Sequence, residues 1–75
     1  MVTLLTQIKR GQKARVVSVE GGVQGRRLVE MGLYPGKQIC FLRKSPFTDP
    51  LQFQIGGASI SIRKSEAELV TVESF

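Results

Sequence analysis

The chain has 75 residues, 41% of them hydrophobic and 23% charged, with 11 Lys and Arg against 6 Asp and Glu for a net charge of +5. So short a globular chain supports one domain, expected over residues 1–75, with a thin stability margin and no room for a second core or a deep substrate cavity. A single cysteine, Cys40, excludes an internal disulfide and fits a reducing compartment, and the absence of histidine removes the commonest general base and metal ligand.

Polar residues follow Met1-Val2-Thr3-Leu4-Leu5 at once, without a small-residue cleavage pattern, so no signal peptide is expected. Leu4, Leu5 and Ile8 read as a segment packing onto the body of the protein before a turn at Gly11. Lys13 to Glu20 is rich in β-branched residues and predicts a first strand, which Gly21-Gly22 ends. Val23 to Met31 reads as a short amphipathic helix. Leu28 and Met31, three residues apart, share its inner face, while Arg26, Arg27 and Glu30 stay in water. Gly32 supplies the left-handed stop, and Pro35 cannot continue a helix.

Lys37 to Lys44 predicts the next strand. Ile39 and Phe41 lie on one face and Cys40 and Leu42 on the other, a pattern that suggests cover on both sides, with Cys40 as a small buried apolar group. Ser45 to Pro50 is a loop with two prolines. Leu51 to Ile55 alternates, Gly56-Gly57 predicts a hairpin turn, and Ala58 to Arg63 returns with Ala58, Ile60 and Ile62 on one face. Ser65 to Glu68 reads as one helical turn capped by Ser65, and Leu69 to Val72 as the last strand. Five short strands and one helix predict a mainly β fold with a short helix, an SH3-like small β-barrel. The longest apolar run, Ile39 to Leu42, is far below the ~20 residues of a membrane span, so a soluble cytoplasmic protein with no membrane insertion is expected.

Enzyme chemistry finds no support. The carboxylates Glu20, Glu30, Asp49, Glu66, Glu68 and Glu73 form no catalytic pair, and one cysteine cannot build a zinc site. Gly21 to Gly25 lacks the Gly-Lys-Ser/Thr ending of a phosphate loop and reads as a strand-to-helix turn. The expectation is a binding protein, not an enzyme, with no cofactor and no metal site. The basic residues occur singly or in pairs, so nucleic acid is not the expected partner.

Three segments in order resemble the FeoA-like family, small cytoplasmic proteins that accompany the FeoB ferrous-iron transporter. Arg27-Leu28-Val29-Glu30-Met31-Gly32-Leu33-Tyr34-Pro35-Gly36 is similar to the family's Arg-Leu, two variable residues, Gly-Leu, one variable residue and Pro-Gly. Pro46 to Pro50 is similar to its Pro-Leu-Gly-Asp-Pro, with Phe47-Thr48 in place of Leu-Gly. Ile60 to Ala67 is similar to its apolar strand, basic pair and Glu-Ala. The resemblance implies an SH3-like barrel and a regulatory or accessory role in bacterial ferrous-iron uptake, acting on the cytoplasmic part of FeoB rather than carrying iron. A weak homo-oligomer is compatible with it. The same domain type closes metal-dependent transcription regulators, but these 75 residues contain no helix-turn-helix segment. The alternative is a small basic barrel that binds nucleic acid, or a regulator-type peptide-binding module.

The helix and its exit, with the proline-containing loop, are the expected contact surface: Leu28, Met31, Leu33, Tyr34, Pro35 and Phe47. Tyr34 is the best surface candidate, because an aromatic beside a proline is what peptide grooves of small barrels use. Leu28 and Met31 also carry a core reading, and Phe47 either folds over the barrel end or is exposed. Arg63-Lys64 reads as a solvated turn.

Overall fold

The computed structural model describes residues 1–44 and 49–75. The strands are β1 (Val2–Leu4), β2 (Lys13–Val19), β3 (Gln38–Lys44), β4 (Leu51–Ile55), β5 (Ala58–Ile62) and β6 (Val70–Ser74), with helices α1 (Gly22–Glu30) and α2 (Lys64–Ala67). All six strands join one antiparallel sheet in the order β1-β6-β2-β3-β4-β5. This is the expected SH3-like architecture, with one strand more than the five expected. The extra strand is Val2–Leu4, which pairs with β6; Leu5–Gln7 follows as a 3-10 turn. Three residues with an exposed-intermediate-exposed pattern carry too little periodicity to announce a strand.

Inward positions of the strands build the core. Ala14, Val16, Ile39, Phe41, Leu51, Phe53, Ile55, Ile62, Val70 and Val72 are buried, and Leu5, Ile8, Leu28, Leu33 and Ala67 close it from the connections. Phe41 and Phe53 face each other across β3 and β4 with ring centroids 5.2 Å apart. Two bulges curl the sheet, one in β2 between Val16 and Ser18 and one in β3 between Phe41 and Arg43. The second face of β3 departs from expectation. Cys40 and Leu42 are half-buried, because α1 packs against β2 and α2 rather than over β3. Along β5 burial grades from exposed Ala58 through half-buried Ile60 to fully buried Ile62, since the hairpin tip projects beyond the core. No helix among the described residues is long and apolar enough to cross a membrane.

Candidate functional site

The helix exit is fixed by its own backbone. Gly32 has φ +110°, the left-handed region, and donates its N–H to Val29 O at 3.0 Å, while Leu33 N–H reaches Leu28 O at 3.0 Å. These two bonds form a Schellman stop, and both its hydrophobic partners, Leu28 and Leu33, are fully buried in the same core. The helical span ends one residue short of the predicted end: α1 closes at Glu30, with Met31 as its C-cap, whose N–H still donates to Arg27 O at 3.0 Å.

The start of α1 depends on close approach. Gly25 is buried, and a Cβ built there would overlap the backbone carbonyl of Glu20. The glycine-rich stretch is thus a packing requirement as well as a turn. Beyond the helix, Tyr34-Pro35-Gly36-Lys37 makes a tight turn in which Lys37 N–H donates to Tyr34 O at 3.0 Å and Gly36 has φ +94°, the arrangement of a type II turn. Gly36 N–H also donates to Val16 O at 2.8 Å, and Val16 N–H to Lys37 O at 2.9 Å, so the turn is stitched to β2.

This frame sorts the six expected contact residues. Leu28 and Leu33 are 0% exposed and have no surface to offer; they hold the turn from beneath. Their expected place at a contact is corrected by the Schellman geometry, which drives both side chains into the core. Met31 is 38% exposed and Tyr34 46% exposed, and Pro35 is exposed between them and Lys37. Met31 therefore departs from the inner face it was expected to share with Leu28, as a cap residue beyond the packed stripe. The Lys37 ammonium lies 5.8 Å from the Tyr34 ring centroid, within cation–π range. Tyr34 forms the rim of a shallow groove of about 460 Å³ lined also by Lys13, Lys37, Cys40 and Gln54. Phe47 lies outside the described residues.

A second polar arrangement was not anticipated from sequence. Asp49 Oδ1 accepts the Lys64 N–H at 2.8 Å, and Glu66 Oε1 accepts the Arg63 N–H at 3.0 Å. Arg63, not Ser65, is the N-cap of α2, because the helix begins one residue before Ser65. Glu66 is buried, and its Oε2 lies 3.8 Å from Arg27 Nη2, which links α2 to α1. The signal for the Glu66 bond was its place three residues after the cap, the spacing of a reciprocal capping box. For Asp49, 15 residues upstream of its partner, only the tertiary fold supplies one. Among the described residues, no group of three or more His, Cys, Asp or Glu side chains could hold a metal ion.

The FeoA domain model matches residues 3–74. The chain belongs to the FeoA family. It is 36% identical over 70 residues to an Fe(2+) transport protein A/Fe(2+) transporter FeoB fusion protein of Porphyromonas gingivalis; the match takes in 92% of this chain and 8% of that protein. The FeoA fold here superposes on a crystal structure of an iron uptake regulatory protein, FeoA, with TM-score 0.90, 36% identity and full coverage of both chains. It also matches Stenotrophomonas maltophilia FeoA, a prokaryotic SH3 domain protein solved in complex with zinc, with TM-score 0.83 and 30% identity over 95% of this chain and 89% of that one. A manganese-dependent transcriptional repressor shares the fold at TM-score 0.85 but only 16% identity, over 99% of this chain and 42% of that one. In the fusion protein a segment similar to this chain is joined to a ferrous-iron transporter.

Proposed function

We propose that this FeoA domain is a non-catalytic accessory protein of ferrous-iron uptake that works in the cytoplasm on the cytoplasmic region of a FeoB-type transporter. The observation that carries the reading is the fusion, in which a domain 36% identical to 92% of this chain is joined covalently to FeoB. Domains joined in one chain meet at high effective concentration, and a separate domain of the same family needs a surface of its own to find that partner. Met31, Tyr34 and Pro35 supply it: an exposed apolar group, an amphipathic ring and a rigid turn, all held by buried leucines and by hydrogen bonds to β2. An aromatic side chain lining a groove is the recurring peptide-recognition device of SH3-type barrels.

The test is co-purification of the full chain with a FeoB-type transporter from membranes, with ferrous-iron uptake measured in the same cells. Tyr34→Ala, which removes an exposed ring, keeps the denaturation midpoint close to that of the parent. It weakens co-purification and uptake together. A well-folded Tyr34→Ala, Met31→Ser double variant that binds and supports uptake like the parent refutes this surface. The nucleic-acid alternative gains little from the described aromatics: Phe41 and Phe53 are buried, the Phe75 ring lies under Arg15, 5.0 Å from its centroid, and Tyr34 alone makes no row of stacking platforms.

A further inference from the structure

A second groove among the described residues, larger than the one beside Tyr34, shares no residue with it. It has a volume of about 960 Å³ and runs between the 3-10 turn, the end of β3, the start of β4 and α2. Its floor is the apolar core, Leu5, Ile8, Phe41, Leu51 and Phe53, each buried, so Leu4, 40% exposed at one wall, is the main apolar surface it presents. Its rim is cationic. Lys9, Arg10, Arg43, Lys44 and Lys64 line it against the single carboxylate of Glu68. Asp49 stands nearby but is engaged by the Lys64 backbone. All five cations are exposed, and the one ion pair among the described residues, Arg27 with Glu66, lies outside the groove.

We infer that this groove is a docking site for an acidic peptide segment of a protein partner, one that carries carboxylates along its length and an apolar side chain to lie against Leu4. Charge complementarity selects the occupant. The cations stand on three separate elements, so a single compact anion meets only some of them, whereas a chain with spaced carboxylates meets them all. A phosphate finds no concentrated site, because the nearby N-terminus of α2 is four residues long and already occupied by Asp49 and Glu66. Nucleic-acid bases find no stacking platform, because both phenylalanines of the floor are buried beneath its surface. The volume, at the upper end of the roughly 300–1,000 Å³ of ligand clefts, leaves room for a short segment of extended chain.

The probe is a fluorescein-labelled peptide rich in Asp and Glu with interspersed Leu, beside a twin in which Asn and Gln replace the acids. Anisotropy titration of the full chain gives saturable binding of the acidic peptide, weakened as salt rises from about 50 to about 300 mM, and little binding of the neutral twin. Arg43→Glu, Lys44→Glu weakens it about tenfold or more, whereas Arg15→Glu, Arg26→Glu, the same change of charge outside the groove, weakens it far less. The proposal is overturned by equal loss in both double variants, by equal binding of the neutral twin, or by no saturable binding. Tighter binding of a single-stranded oligonucleotide or of anionic lipid vesicles, lost in the same groove variant, overturns it in favour of those partners. A variant-free measurement stands beside these. Peptide-induced amide shifts in the unmodified protein fall on Lys9, Arg10, Arg43, Lys44 and Lys64; shifts confined to residues 31–37 overturn the assignment.

Discussion

The two helices are held in place by opposite means. α1 has nine residues and is fixed by shape: Gly25 lets its backbone touch Glu20, Leu28 is buried beneath it, and Gly32 turns the chain so that Leu33 follows Leu28 into the core. Its N-cap is Gly21, with no side-chain acceptor. α2 has four residues, too few to satisfy its own first N–H groups, and borrows Asp49 from the loop before β4 and Glu66 from within. A single turn has little apolar face to bury, so polar caps must supply what packing supplies to α1. The sole ion pair among the described residues, Arg27 with Glu66, runs between the two. The contrast also separates the two proposed surfaces. The shape-fixed helix leads into the rigid Tyr34 turn, and the cap-fixed one stands beside the cationic groove.

Substitutions can break this contrast, beginning with the largest effect. Leu28→Ala empties a fully buried position and is expected to destabilise the domain by about 3 kcal/mol in chemical denaturation; a loss below about 1 kcal/mol would mean that α1 is not held by packing. Gly25→Ala forces the helix off the Glu20 carbonyl and is expected to cost about 2 kcal/mol, although Ala is the better helix former. A stabilised Gly25→Ala would remove close approach from the account. At Gly32 the added Cβ would meet only Ile55 at an ordinary 3.8 Å, so Gly32→Ala is expected to cost about 1–2 kcal/mol from the positive φ alone. The caps of α2 follow at about 1 kcal/mol for Asp49→Ala, with Asp49→Asn smaller because an amide oxygen still accepts the Lys64 N–H. Arg27→Ala closes the series at a few tenths of a kcal/mol, since its side chain is 69% exposed and water screens the pair. An Arg27→Ala loss equal to that of Asp49→Ala would show that the bridge between the helices matters more than its exposure implies.

The reading of α1 shows what local chemistry can declare. Gly32 followed by Leu33 and Pro35-Gly36 announced a stop and a turn, because positive φ and fixed φ are properties of single residues. The strands from Leu51 to Ile55 and Ala58 to Ile62 were legible from alternation and a Gly-Gly tip. Where periodicity is short or the partner is remote, legibility failed. β1 has three residues, the cap of α2 comes from Asp49, and Ser65 offered a more familiar cap in a position the helix does not use.

For the candidate surface the same division holds. That Tyr34 and Pro35 sit at an exposed turn was a statement about neighbours in sequence, and the tertiary structure agrees with it. That Met31 faces water while Leu28 and Leu33 do not was decided by where α1 ends and which side of it meets the core. The basic groove belongs wholly to the tertiary level. Along the chain its cations are two pairs and a single lysine separated by loops and strands, with no run to announce them. By itself the sequence determined the family, the barrel class and the turn chemistry, because these follow from residue types at fixed local spacing. Which side chains share a surface, and which charges face one another across a groove, is set by long-range strand pairing, and no local interaction encodes that.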